Sequence, residues 1–401
     1  MTEYDVAIVG ASVGGCTAAK LYGERGARVA LIEKRPDPAA YKTVCTHYIQ
    51  SSATPVIEKL GLARALDERG ANHNSVDMWT PYGGWIRGPD DDTFGYSVTR
   101  RTLDPLLRAA AAETPGVDLM TGRAAAALTG DGLTLKDGAH VRARLVVGAD
   151  GRGSAVARMA GLPGRVKPHN RFFYWAYWRG VEPASERSRM WFMEPDCAYT
   201  FPNEDGLTVV LAGPHRDRLP EFRADLEGAY HRFVAALPDG PRLDGATRES
   251  KMIGKLDLPN VLRRAARGSD AAGGAVPVAL VGDAALASDP LWGVGCGWAF
   301  QSADWLVEET ADALTSGGDL DAALDRYRRL HFRRLAPHHL MIADIASARS
   351  ANRFERMMYR AAARDPEATR AMAEVGSRTV SPARVLRPGT LARIVRAGAA
   401  A

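Results

Sequence analysis

YDVAIVGASVGGCTAAKLYGERGARVALIEK, residues 4–34, decides the architecture. Its apolar start, Tyr4 to Val9, reads as a buried strand. GASVGG is a turn, the run from Gly14 to about Gly26 has helical spacing, and Arg28 to Ile32 reads as a second strand closed by Glu33. Each part has a separate task. Gly10 lets the chain turn sharply out of the strand, the small Ser12 lets backbone approach a pyrophosphate, and Gly15 lets the helix pack close to the sheet. From Gly14 onward the helix N-terminus offers free N–H groups and a positive dipole end to phosphates.

Glu33 stands 23 residues after Gly10, where a carboxylate accepts hydrogen bonds from ribose hydroxyls, and Lys34 completes this cofactor-binding set. An acid at that point favours an unphosphorylated ribose, as in FAD or NAD. The same letters satisfy G-x-S-x-G, the nucleophile elbow of α/β-hydrolases. An elbow serine follows several strands that have already built a sheet, whereas one short strand precedes Ser12. A hydrolase also leaves Glu33 unexplained, so the dinucleotide reading prevails.

The rest of the composition is that of an ordinary soluble enzyme. The 401 residues can form two or three domain-sized pieces. Net charge is +5, from 52 basic and 47 acidic residues, and the arginines are scattered. No basic patch argues for nucleic acid. The densest cluster, Arg326 to Arg334, has apolar residues between its charges and reads as a solvated helix face. The first strand begins too early for a signal peptide, and no apolar run reaches the ~18 residues of a membrane span. Cys16, Cys45, Cys197 and Cys296 lack C-x-x-C spacing, which points to reduced thiols in a cytoplasmic protein without structural zinc.

Two further motifs narrow the cofactor. In ARLVVGADGRGSAVARMAGLP, residues 143–163, Leu145 to Val147 form a buried strand, Gly148 to Gly153 a turn, and Ser154 the N-cap of a helix running to about Ala160. Asp150 and Gly151 thus lie at the carboxyl end of a strand, where α/β sheets bind ligands. In VALVGDAALASDPLWGVGCGWAFQSADWLVEE, residues 278–309, a strand delivers Gly282 and Asp283, a loop runs through Pro290, and Gly293, Gly295 and Gly297 open a long helix. Glycines there leave backbone N–H groups bare and aimed at something electron-rich. An aspartate at the strand end suits a ribityl hydroxyl.

Taken in this order, the three motifs resemble the flavoprotein monooxygenases of the para-hydroxybenzoate hydroxylase fold, together with geranylgeranyl reductases and flavin-dependent halogenases, over about residues 3–345. The resemblance implies an α/β fold, with a Rossmann-like FAD-binding domain (1–75, 97–166 and 270–345), an inserted antiparallel β-sheet substrate domain (76–96 and 167–269) and a C-terminal helical segment (346–401). It implies that Gly10, Ser12, Gly15 and Glu33 hold the ADP half of FAD, and that Asp150, Gly151 and Ser154 serve FAD and NAD(P)H. Gly282 and Asp283 then contact the ribityl chain, and Pro290, Gly293, Gly295 and Gly297 line the flavin ring. The pattern R-x-x-L-x-x-x-L matches Arg100, Leu103 and Leu107 as a further cofactor contact, with Arg101 as the alternative register. Ser12 replaces a common glycine, and Trp298 stands where many relatives carry asparagine.

The inserts contain RFFYWAYWRGV and RMWFMEPDCAYTFPN, alternating bulky residues bounded by Pro, Gly and Asn that read as antiparallel strands. Together they form a sheet that roofs the flavin. Phe173, Trp175, Tyr177, Trp191, Phe192, Tyr199 and Phe201 are candidates to line an apolar substrate pocket, with Trp292 of the glycine loop. Period-two alternation sends half of any strand to each face, so sheet core is an equal alternative for each one. By the resemblance, residues 42–52 pass beside the flavin, which makes Cys45 and His47 candidates there. Helical spacing begins at Leu320, and the tail reads as small helices that pack on, or close over, the substrate side.

In the family, reduced flavin and dioxygen form a C4a-hydroperoxide that transfers oxygen to an electron-rich carbon. The cofactor carries that step, which accounts for the absence of a catalytic triad or metal cluster in the text. The resemblance therefore implies FAD, NADPH or NADH as reductant, dioxygen, and an apolar, cyclic small molecule, hydroxylated or epoxidised, in keeping with secondary metabolism. An ene-reductase of the geranylgeranyl reductase type is the alternative, and Cys45 suits it. A halogenase fits less well, because YWAYWRG lacks W-x-W-x-I-P and no lysine occurs between Lys59 and Lys136. A flavoprotein without turnover would keep the same motifs. Oligomeric state is not legible.

Overall fold

The computed structural model describes residues 3–89, 94–269 and 274–399. Residues 90–93 of the turn-rich first insert, and position 270 where the last cofactor segment was expected to begin, lie outside them.

The quoted stretch folds as its pattern dictates. Strand Glu3–Val9 is buried from Val6 onward and pairs in parallel with Val29–Glu33 on one side and His140–Gly148 on the other. Val117–Thr121 continues the sheet beyond Val29–Glu33, and Val278–Leu280 beyond His140–Gly148, both in parallel. The antiparallel pair Ala266–Arg267 closes the far edge. Helix Val13–Glu24 connects the first two strands and packs between helices Arg100–Ala112 and Gly295–Thr315. Parallel strands buried on both faces read as continuous apolar runs, which is why Val6 to Val9 and Val29 to Ile32 carry no alternation.

Two glycines are indispensable to this junction. Gly10 has φ +108°, a conformation that penalises any side chain, and a Cβ there would meet the Ala149 carbonyl oxygen at 2.5 Å. A Cβ on Gly15 would lie 1.7 Å from the Gly10 carbonyl oxygen, so turn and helix touch backbone to backbone.

The two inserts join one roof sheet. Its strand order is Thr247–Arg248, Phe173–Arg179, Thr208–Gly213, Cys197–Pro202, Ser188–Phe192, Val76–Thr80 and Gly84–Arg87, with Ile253–Lys255 also on Phe173–Arg179. The parallel pairing of Ser188–Phe192 with Val76–Thr80 brings the first insert beside the second. The chain returns to the cofactor body earlier than expected: Asn260–Leu262 pairs with Arg165–Lys167 and Leu286–Ala287, and Ala266–Arg267 joins the Rossmann-like sheet. Helices Leu219–Ala224 and Leu226–Ala235 cover the outer face of the roof through Phe222, Tyr230 and Phe233.

Alternation in the roof strands decides which aromatics face inward. Phe173, Trp175, Tyr177, Phe192, Tyr199 and Phe201 belong to the core shared with the cofactor body. Trp191 is the exception and corrects its assignment as a pocket residue. It sits one position off the inward register of Met190 and Phe192, packs in the outer cluster, and donates its indole N–H to the Pro238 carbonyl at 2.8 Å.

Beyond the long helix Leu320–Ile345, the chain forms helices Arg353–Ala362, Pro366–Gly376 and Pro388–Ala399, with a small core around Ala361, Ala368 and Ile394.

Candidate functional site

Helix N-termini locate the site. Helices Leu226–Ala235, Leu320–Ile345, Arg353–Ala362 and Pro366–Gly376 are capped by their own Asp225, Asp319, Asn352 and Asp365 side chains. Helices Val13–Glu24 and Gly295–Thr315 have no side-chain cap and no acidic residue in the first turn. Their leading N–H groups and positive dipole ends stay open to an anion or an electron-rich edge. These two starts carry the residues read from the sequence, Ser12, Gly14 and Gly15 on one and Gly295 and Gly297 on the other, so the donor set fits an FAD-type ligand.

Glu33 ends the second strand with its carboxylate turned back on the turn. Its Oε2 accepts the Ala11 N–H at 3.0 Å, and its Oε1 accepts the Arg35 N–H and Nε at 3.0 Å each. Burial raises its pKa, but the two backbone donors and the guanidinium outweigh that and hold it below the ordinary value. The carboxylate is therefore ionised with lone pairs left for ribose hydroxyls. Lys34, assigned with it, is exposed, and the cation that contacts Glu33 is Arg35. The strand ends at Glu33, and the chain beyond it turns so that the Arg35 N–H and Nε both reach the carboxylate while Lys34 stays outside.

Arg100, not Arg101, enters the site. It is 3% exposed; its Nη2 donates to Ser12 Oγ at 2.6 Å and its Nε to Asp104 Oδ1 at 2.8 Å. Burial opposes its charge, yet Asp104 more than offsets this and raises its pKa. Arg101 instead lies over the Tyr41 ring, 5.8 Å from its centroid. Two turns along the same helix face, Arg108 donates to the carbonyls of Ala11 at 3.0 Å and Ala40 at 2.9 Å, and to that of Pro38. It clamps the glycine turn from behind. The sequence reading missed it, although the eight-residue step from Arg100 on an amphipathic helix was a usable signal.

The D-G loop backs the glycine turn, and its carboxylate is engaged locally. Asp150 accepts from Ser154 Oγ at 2.5 Å and from the N–H groups of Ala155 and Val156 at 2.6 and 3.1 Å. Gly151 has φ +84°, and Ser154 caps helix Ala155–Met159 through the Ala157 N–H. Asp150 thus shapes the loop whose Ala149 carbonyl abuts Gly10.

Asp283 follows Gly282, which has φ +56°, and its Oδ2 pairs with Lys42 Nζ at 3.1 Å. Burial raises the Asp283 pKa, but Lys42 outweighs it and holds the carboxyl below its ordinary value. Lys42 bridges the segment after the second strand to the G-D motif, a contact that no local pattern announced. Pro290 opens a short turn capped by Asp289, and Gly293 has φ +62°. A Cβ on Gly293 would lie 2.3 Å from Tyr48, whereas one on Gly295 would be 3.7 Å from Asp283 Oδ1, so Gly295 faces the Asp283 carboxylate. Tyr199 donates its hydroxyl to the Leu291 carbonyl at 2.6 Å and ties the roof to this loop.

His47 is 2% exposed and adopts φ +63°. Its Nδ1 accepts the Arg100 N–H at 3.0 Å, which leaves Nε2 carrying the proton of the neutral ring and facing the Tyr177 hydroxyl. Cys45 Sγ accepts the His47 N–H at 3.3 Å.

Beside the loop opens a cavity of about 580 Å³, between the roof sheet and the C-terminal helices. Met78, Ile86, Met190 and Phe192 from the roof, Tyr48 and Trp292 from the cofactor side, and Met341, Phe354, Met358 and Val375 from the helices line it. Trp292 is thus a lining residue. Trp175, Tyr177, Tyr199 and Phe201 lie on the inner face of the roof, outside this cavity's lining. The tail is pinned here by Gln50, whose Nε2 donates to Trp292 O at 2.6 Å and Gly376 O at 2.8 Å. Arg378 donates to Val294 O and Ser52 Oγ, both at 2.9 Å, over the Trp298 ring. Among the described residues no group of His, Cys, Asp and Glu could hold a metal ion, and no helix is long and apolar enough to cross a membrane.

Comparison with known proteins agrees with this geometry. The chain is 27% identical to the digeranylgeranylglycerophospholipid reductase of Methanothrix thermoacetophila, over 78% of this chain and 79% of that one. It is 29% identical to the kynurenine 3-monooxygenase of Salinispora arenicola, over 86% and 78%. The structure superposes on the flavoprotein/dehydrogenase from Cytophaga hutchinsonii with a TM-score of 0.79 at 17% identity, over 97% and 96% of the two chains. The FAD binding domain family model matches residues 3–232, and the chain belongs to that family.

Proposed function

We propose that this FAD-binding oxidoreductase is a monooxygenase that takes electrons from NADH or NADPH and inserts one atom of dioxygen into an apolar, cyclic small molecule. The observation that carries the proposal is the apolar cavity, which reaches Trp292 of the glycine loop and is closed by the C-terminal helices. Its volume falls within the range of small-molecule sites. Bound FAD would supply hydride acceptance and the activation of dioxygen.

The chain's own residues would bind, orient and exclude water. Ser12, Gly14 and Gly15, with Arg100 and Glu33, would hold the pyrophosphate and ribose; Asp283 with Lys42, and Gly293 with Gly295, would hold the ribityl chain and ring. Cavity methionines and aromatics would limit water beside the bound cofactor. Because His47 Nε2–H faces the Tyr177 oxygen, the Tyr177 O–H remains available as a donor on the inner face of the roof. A monooxygenase relative favours the first reading, and a reductase relative with Cys45 beside Arg100 keeps the ene-reductase as a second.

The test uses FAD-loaded protein with NADH or NADPH, polycyclic phenolic candidates and ¹⁸O-labelled dioxygen. Label in the product, with matched consumption of reduced nicotinamide, is the expected result. Hydrogen gain at a carbon–carbon double bond under anaerobic conditions, without label in air, would replace this reading by the reductase.

A further inference from the structure

Cys45 and Cys296 come from segments 251 positions apart and meet at one guanidinium. Arg100 Nη1 lies 3.9 Å from Cys45 Sγ and 3.7 Å from Cys296 Sγ, so the two sulfurs flank a single guanidinium nitrogen. We propose that Cys45 and Cys296 form a reversible disulfide when the protein meets hydrogen peroxide, and that this bond latches the cofactor site.

Three features single out this pair. Cys45 is half-buried and within reach of a small oxidant, whereas Cys16 and Cys197 are sealed in the core, where burial pushes each thiol up to about 12. Its neighbour Cys296 does most to hold the Cys45 thiol well below its ordinary value against the opposing effect of burial, and the His47 side chain and Arg100 add to it. Cys296 is shifted the other way and keeps its proton. One sulfur is thus the nucleophile and its neighbour the resolving thiol. The oxidant is one that any reduced flavin releases when dioxygen reoxidises it without transfer to a substrate.

The chemistry balances. The Cys45 thiolate attacks one oxygen of hydrogen peroxide, the O–O bond breaks, hydroxide leaves, and Cys45 carries S–OH. The Cys296 sulfur gives up its proton and attacks the Cys45 sulfur, forming the S–S bond and expelling hydroxide, which is protonated to water. Two thiols lose two electrons and one peroxide becomes two waters. The bond would join the loop that holds Lys42 to the first turn of helix Gly295–Thr315, across the same gap that the Lys42–Asp283 pair spans.

The experiment treats FAD-loaded protein with hydrogen peroxide, blocks remaining thiols and maps peptides by mass spectrometry. A Cys45–Cys296 cross-link that dithiothreitol reverses, with Cys16 and Cys197 still reduced, is expected, together with severalfold slower FAD release on dialysis against bromide. In Cys296→Ser, a sulfenic acid at Cys45 should accumulate and be trapped by dimedone. Oxidation of Cys45 to sulfinic acid with Cys296 still a thiol, or no oxidation at either sulfur, would overturn the disulfide. A cross-link that leaves FAD release unchanged would overturn the latch. None of these readouts requires turnover, so they stand apart from the monooxygenase reading.

Discussion

Arg108→Met separates a structural clamp from a generic helix residue. The buried guanidinium serves three carbonyls, and methionine fills similar volume without a donor. A hydrogen bond from a charged donor is worth about 1.5–3 kcal/mol, but Pro38 and Ala40 lie in a loop that water can reach, so their carbonyls rehydrate at small cost. Ala11 is fully buried, so its carbonyl would keep the full penalty of about 1–3 kcal/mol. Relief of the buried arginine returns part of this, which leaves a net loss of roughly 1–2 kcal/mol. With about 2.1 cal/mol/K of unfolding entropy per residue, that corresponds to a fall in Tm of ~2 °C for a chain of this length. The glycine turn also loses its rear support, so FAD should bind about tenfold more weakly, equivalent to ~1.4 kcal/mol. Thermal unfolding followed by circular dichroism and FAD titration by fluorescence quenching read both quantities. Arg101→Met, at an exposed site, should stay within about 0.5 kcal/mol of the parent. If Arg108→Met matched Arg101→Met in both assays, the clamp would be refuted.

Other perturbations test the remaining assignments. Glu33→Gln keeps the Ala11 contact but removes the ion pair with Arg35 and the anionic acceptor for ribose; FAD affinity measured by equilibrium dialysis should drop severalfold while the fold persists. Trp191→Ala should cost about 3–5 kcal/mol in urea unfolding, as a cavity in the outer roof cluster, yet leave FAD affinity unchanged; a large loss of FAD would place that face at the site after all. Burial holds His169, His331, His338 and His339 at about 4, below the usual 6.5. Between those values the unfolded chain binds protons that the folded chain does not, so their contribution is complete above about pH 6.5 and is lost as pH falls toward 4. Asp289, raised by burial to about 6, works in the opposite sense, but it is one group against four. Tm should therefore decline from pH 7 to pH 5, and His331→Leu should flatten that slope; an unchanged slope would contradict the neutral buried imidazole.

Period, punctuation and spacing made much of this molecule readable. An apolar run, Gly10, a helix and Glu33 define a unit whose turn, helix and first strand pairing all lie within residues 4–34, so it is readable even though both strands also pair with distant segments. The same holds for Ser154 as a cap and for the bare start of helix Gly295–Thr315, because capping is decided within one turn of chain. Strand alternation made the aromatic sheet visible, but one-dimensional text does not say which residues of different strands share a face, nor which face is roofed by helices and which meets the cofactor body. That choice was made by the packing of Leu219–Ala224 and Leu226–Ala235 on one side only. Likewise, Lys42 with Asp283, Arg108 with Ala11, Gln50 with Gly376 and Cys45 with Cys296 join segments that share no local pattern. Sequence alone therefore determined which dinucleotide-binding elements exist and what each can hold, since short-range sterics and hydrogen bonding write those rules. Tertiary structure decided which side chains converge around them, since contacts between distant segments depend on how whole layers stack.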